Sequence, residues 1–187
     1  IYPLSMFRQV YAKNLPAKVS LKAVAESLNI RTPSLYNHID SLEALLREIA
    51  HNGMKTMNER MMQAAIGKIG DDAIKSAGIT YLNYMIEHPG IYETIQWATW
   101  HGTEETGKIF DNYLSLLKTL ALSCNFNPVN IDEILNLLTG VLHGYTTLQL
   151  RYAFTKPDEV RTALSSALDT VLAGMHQKYD QHEKEHL

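Results

Sequence analysis

Apolar residues recur three or four positions apart along almost the whole chain, and alternating strand patterns are scarce. Leu4 to Lys13 predicts a short first helix that Asn14 can stop in a left-handed conformation. Ser20 caps a second, with Leu21, Val24, Ala25 and Leu28 on its inner face, and Asn29 then turns the chain. Thr32-Pro33 opens a third, because Thr caps free amides and Pro loses no bond at the first helical position. Asp40 or Ser41 starts a longer helix through Leu45, Ile49, Met54 and Met57 towards Ile66, and Glu43 follows Asp40 at capping-box spacing. Asp71 to Glu87 reads as the next, and His88-Pro89-Gly90 breaks it. A short aromatic-rich piece runs through Trp100, and Thr103 starts another helix with Glu104 and Glu105 at its favourable end. Two closing helices are expected, from about Ile131 to Tyr152 and from Pro157 to about Tyr179, each roughly 33 Å long. The pattern predicts an all-α protein of about nine helices.

The third helix is short, and its outward side chains are Ser34, Asn37 and His38 with one aromatic, Tyr36. Such a helix suits either a surface connector or a surface that lies against something polar and charged. Joined to the second helix as "SLKAVAESLNIRTPSLYNHI", it has the spacing of a helix-turn-helix, with Ala25 small enough for a close crossing and Ile30 and Leu35 as anchors. In that arrangement the short helix enters the major groove. Thr32, Ser34, Asn37 and His38 then reach base edges or phosphates, Pro33 meets a thymine methyl, and Tyr36 bonds a phosphate. Ser20, Lys22 and Arg31 complete the candidate DNA-binding set.

Net charge is −3, which by itself argues against a nucleic-acid binder. Its distribution changes that picture. Residues 1–50 carry a net +2 and the remainder a net −5, a mildly basic head on an acidic body. The 187 residues, 45% hydrophobic and 20% charged, fit one good-sized domain or a small one joined to a larger one. No apolar run is long enough for a membrane span, and no signal-peptide pattern is seen. Cys124 is the only cysteine, so no intrachain disulfide is expected, which suits a reducing cytoplasm. The chain opens on Ile1 rather than Met, so further residues are expected before it.

The stretch "SLKAVAESLNIRTPSLYNHIDSLEALL" resembles the DNA-binding head of TetR-family transcriptional repressors. The match lies in Leu35, Tyr36 and His38, then Ser41, Leu45 and Leu46, and a generic helix-turn-helix does not require that combination. "YLNYMIEHPGIYE" and "LLTGVLHGYTTLQL" are similar to segments of the family's C-terminal domains. Two departures stand out: Leu42 replaces the family's usual phosphate-gripping Lys, and Asp40 would repel a nearby phosphate. The resemblance implies a helix-turn-helix domain over residues 1–48 and an effector-binding and dimerisation domain over 49–187. It also implies a homodimer on a roughly palindromic operator, released by a small molecule. Repression is the family's habit rather than a property of these residues.

A pocket for a mainly apolar or aromatic effector is expected from Tyr81, Tyr84, Met85, Tyr92, Trp97, Trp100, His101, Phe110, Tyr113, Leu138, Leu142 and His143. The same stripe also suits an ordinary helical core. For the dimer, the last helix offers Val160, Leu164, Leu168, Val171, Leu172 and Met175, and its partner Ile134, Leu138, Val141, Tyr145, Leu148 and Tyr152. Apolar area left over from packing these two helices on each other suggests a four-helix bundle across a two-fold axis. An enzyme is disfavoured: Cys124 has no His or acid near it in sequence, and no phosphate-binding glycine loop occurs. No cofactor or metal is expected, although His182 and His186 near Glu183 and Glu185 have a metal-like spacing on a charged tail. The competing reading is a helical interaction protein of the same fold with weakened or lost DNA binding, for which Leu42 and Asp40 speak.

Overall fold

The computed structural model describes residues 22, 25, 26, 31, 33, 39–154 and 156–180. It is all-helical, and six α-helices are counted among the described residues: α1 (Leu42–Ala65), α2 (Gly70–Glu87), α3 (Pro89–His101), α4 (Glu104–Leu122), α5 (Ile131–Leu150) and α6 (Val160–Tyr179). Single 3₁₀ turns at Pro128–Asn130 and Pro157–Glu159 lead into α5 and α6. The expected count of about nine included three helices before Asp40. Those fall almost wholly outside the described residues. The chain forms two compact units, residues 1–57 with 84–111 and residues 58–83 with 112–187. α1 runs unbroken across the expected 48/49 boundary.

Local chemistry sets the helix ends. Ser41, not Asp40, caps α1: the Ala44 amide donates to Ser41 Oγ at 3.0 Å, and the Leu45 amide donates to the Ser41 carbonyl at 3.1 Å. Gly67, at φ 75°, turns the chain after α1. The break at His88 is a single residue wide, and Pro89 occupies the first turn of α3. The aromatic-rich piece is therefore a full helix of 13 residues.

α5 and α6 are 20 residues each, hence roughly 30 Å. α5 stops at a tight cap in which the Tyr152 amide bonds the Gln149 carbonyl at 3.1 Å and the Ala153 amide bonds the Leu148 carbonyl at 2.9 Å. Tyr152 itself takes φ 54°, the left-handed conformation usually left to glycine.

In the first unit, Leu45 and Ile49 of α1 and Ile91 and Ile95 of α3 are buried. In the second, Ile134, Leu138 and Leu142 of α5 and Leu164, Leu168 and Leu172 of α6 are almost wholly inaccessible. Side chains of this size each contribute about 1.5–3 kcal/mol on burial. Gly78 lets α2 approach both helices: a Cβ there would lie 3.0 Å from Leu142 Cδ2 and 3.1 Å from Leu168 Cδ1. The far end of α6 is tied down by polar contacts. The Asn127 amide donates to the Tyr179 carbonyl at 2.8 Å, and Phe126 pairs with Asp180 in an isolated antiparallel bridge. Among the described residues no helix is long and apolar enough to cross a membrane.

Candidate functional site

Within the first unit, the corner between α3 and α4 faces α1. Gly102 makes that corner tight, since a Cβ there would press on the Ala98 carbonyl at 2.6 Å and on Thr106 at 2.8 Å. Thr103 precedes α4, its carbonyl accepting the Gly107 amide at 3.1 Å. Its own amide donates to Thr106 Oγ1 at 3.0 Å, the return half of a capping box with Thr in the usual Glu position. Thr106 in turn contacts α1 through His51 Nε2 at 2.7 Å. Both residues are buried.

A cleft of about 400 Å³ opens beside this contact, lined by Met54, Ala98, Thr99, Trp100, Gly102, Thr103, Thr106, Gly107 and Phe110. Its walls are mainly apolar, with threonine hydroxyls as polar handles. Trp100, 85% exposed, stands on the wall of this cleft. Towards the start of α1 lies a second cavity of about 320 Å³, lined by Ile39, Asp40, Ala44, Leu45, Arg47, Glu48, His51, Thr103 and Glu105.

Of the twelve residues expected around an effector, Trp100 and Phe110 line the cleft. Tyr84, Met85 and Tyr92 are buried in the same unit, the Tyr84 ring set edge-on to His88 at 4.9 Å. Trp97 stacks on His101 at 4.8 Å, and Arg47 reaches the His101 carbonyl at 3.5 Å. Tyr81, Tyr113, Leu138, Leu142 and His143 belong to the other unit. There the Tyr81 hydroxyl and His143 Nδ1 lie 3.2 Å apart, and the Tyr81 and Tyr113 rings 6.2 Å apart. Burial lowers the His143 pKa and pushes the Tyr113 phenol up to about 12, so both stay neutral near pH 7. Sequence reading missed Met54, Thr103, Thr106, Gly107 and His51. The helix break at Gly102-Thr103 was the available signal for Thr103, Thr106 and Gly107, and nothing in the sequence pointed to Met54 or His51 on α1.

The apolar stripes of α5 and α6 divide by burial. Ile134, Leu138, Val160, Leu164, Leu168, Leu172 and Met175 are buried within the single chain, so they hold the unit together. Val141, Tyr145 and Val171 are half-buried, the Tyr145 ring 5.3 Å from Phe154. Leu148 and Tyr152 are exposed, as is Leu137. Between these on α5 stand Gly140 and Gly144, both facing open space, and Gly174 on α6 does the same.

Lys22, Arg31 and Pro33 are exposed, and Lys22 forms a solvent-facing pair with Glu26 at 3.9 Å. Ser20, Thr32, Ser34, Tyr36, Asn37 and His38 lie outside the described residues, as do His182 and His186. Asp40 is exposed and Leu42 half-buried. Cys124 is buried, and burial first, then Asp71, pushes its thiol up to about 12, unsuited to nucleophilic attack. Among the described residues no group of three or more His, Cys, Asp or Glu is arranged to hold a metal ion.

The family model for a tetracyclin repressor-like C-terminal domain matches residues 74–171. The uncharacterized HTH-type transcriptional regulator YobS of Bacillus subtilis is 30% identical over 158 residues, covering 84% of this chain and 82% of that protein. Among solved structures, the transcriptional regulator FadR from Bacillus subtilis in complex with stearoyl-CoA superposes with a TM-score of 0.73 at 13% identity, covering 92% of this chain and 97% of that one. TetR from Acinetobacter baumannii superposes with a TM-score of 0.69 at 14% identity, covering 95% and 96%.

Proposed function

The chain belongs to the TetR family of transcriptional regulators, and from that premise we propose that it is a repressor released from a palindromic operator by a mainly apolar or aromatic small molecule. The observation that carries the effector half is the cleft at the α3–α4 corner, with Trp100 and Phe110 on its wall and Met54 of α1 beside them. α1 begins at Leu42, directly after the segment read as the recognition helix. A ligand that favours one setting of the corner therefore biases the helix that carries the head, which is a population shift. To lower operator occupancy a hundredfold the coupling must reach about 2.7 kcal/mol.

The DNA-binding half rests on Ser20, Lys22, Arg31, Thr32, Pro33, Ser34, Tyr36, Asn37 and His38, and on the match to a helix-turn-helix regulator over most of the chain. The dimer half rests on the outward face of α5 and α6. Leu137 and Leu148 flank Gly140 and Gly144, so a second copy can approach closely without displacing a side chain. Two recognition helices related by a two-fold axis then read the two halves of a palindrome. The relatives point to regulation rather than catalysis.

The effector reading is tested by filling the cleft. Gly107 lines it and a Cβ there would meet nothing within 4 Å, so Gly107→Phe adds a ring at the cleft wall without displacing a neighbour. The variant is expected to hold operator DNA as the parent does and to need at least about tenfold more apolar ligand for release. Release at the parent's ligand concentration would place the effector elsewhere. Leu42 and Asp40 favour a second reading, a helical interaction protein with little DNA affinity. That reading predicts no change in any DNA binding on Tyr36→Phe or Asn37→Ala.

A further inference from the structure

The second cavity of the first unit has a chemistry unlike that of the cleft. Three carboxylates, Asp40, Glu48 and Glu105, line it against one cation, Arg47. Ile39, Ala44 and Leu45 supply an apolar floor. His51 also lines it, only 4% exposed, and its Nδ1 has no hydrogen-bond partner. The nearest carboxylate oxygen, Glu105 Oε2, stands 4.0 Å from that nitrogen, too far for a bond. A buried polar atom left without a partner costs about 1–3 kcal/mol, a cost that a donor entering the cavity would remove.

The contacts of the other ring nitrogen leave Nδ1 able to accept. Thr106 Oγ1 accepts the Thr103 amide at 3.0 Å and meets His51 Nε2 at 2.7 Å. Thr103 Oγ1, at 3.4 Å, is available for the Thr106 hydroxyl hydrogen. With Nε2–H donating to Thr106, Nδ1 presents a lone pair to the cavity. Glu105 uses its other oxygen for an exposed pair with Lys55 at 3.9 Å, and Arg47 is shared between Glu43 at 3.9 Å and the His101 carbonyl. Both pairs are long and solvent-facing, hence weak.

We propose that this cavity is a binding site for a small organic ammonium ion, its N–H groups donating to His51 Nδ1 and the Glu105 carboxylate and its alkyl stem lying on Ile39, Ala44 and Leu45. The lining carries a formal −2, which favours a cation and rejects an anion. The acids are not grouped for a bare metal ion. An ammonium fits instead because it carries several donors that spread over separated acceptors, and it gains charge-assisted bonds at each. The site adjoins the apolar cleft and shares Thr103 with it, but its carboxylates and His51 line this cavity and not the cleft.

The experiment titrates the full chain with putrescine, using n-butanol as the uncharged control, by calorimetry and by ¹⁵N spectra of the histidine rings. Putrescine is expected to bind saturably and to move the His51 Nδ1 resonance. Butanol is expected to do neither. Glu105→Gln and Glu48→Gln remove exposed charges without touching the core, and each should weaken binding about tenfold. Absence of saturable binding, equal binding of butanol, or binding unchanged in Glu105→Gln would overturn the site.

Discussion

At the scale of single residues, His176 shows how one side chain ties distant parts of the chain. Its Nε2 lies 2.9 Å from Asp71 Oδ1 and its Nδ1 lies 2.7 Å from Asp180 Oδ1, with the Phe126 ring at 4.8 Å. Only the imidazolium can donate through both nitrogens. The bond to Asp71 raises the His176 pKa most; Asp180 raises it too, while burial lowers it. Cys124, the other titratable group beside these acids, stays a neutral thiol. A raised folded-state pKa means stability fully present below the unfolded value of about 6.5 and lost as pH rises through the folded value. Thermal unfolding is thus expected to show a midpoint that falls across that window, and Asp71→Asn should flatten the fall. A midpoint that rises with pH over the same window would contradict the clasp. His51 makes a different point: its one partnered and one unpartnered nitrogen could not be foreseen, because no spacing in the sequence links it to Thr106.

At the scale of elements, the 3.6-residue period placed the ends of the described helices to within three residues, the largest shift being α6, which starts at Val160 rather than Pro157, because Pro89, Gly67 and the 128 and 157 prolines punctuate it so clearly. The period could not say what a stripe packs against. Val160, Leu164, Leu168, Leu172 and Met175 form one clean stripe, and whether it meets its own chain or a second copy depends on α2, which Gly78 admits to both helices. The face left open is marked instead by small residues, a signal that apolar pattern reading passes over. Nor could the aromatic residues say which concavity they share, since that is set by the Gly102 corner. The end of α5 offers a direct test of element energetics. Tyr152 takes a left-handed φ with 86% of its surface exposed, so it gains little burial for the strain. Tyr152→Gly should raise stability by about 1 kcal/mol in urea unfolding at low protein concentration. A loss of stability would mean that the tyrosine ring contributes more than its exposure suggests.

At the scale of the whole molecule, family membership makes the chain a member of a regulator class, while its own residues decide partners and ligands. The open face of α5 carries the dimer expectation. Leu148→Glu puts a charge where two copies would meet, and sedimentation is expected to change from dimer to monomer while helical content stays constant. A dimer that survives this change, or a parent that is already monomeric, would move the interface elsewhere. Sequence-specific DNA binding by the head is tested by selection of genomic fragments with the purified full-length chain at two salt concentrations. A recovered palindrome is expected, with an affinity that falls with salt and a recovery that is lost in Asn37→Ala. Recovery of nothing above background even at low salt would contradict it, and would mean that Leu42 and Asp40 leave the head without its hold on phosphate.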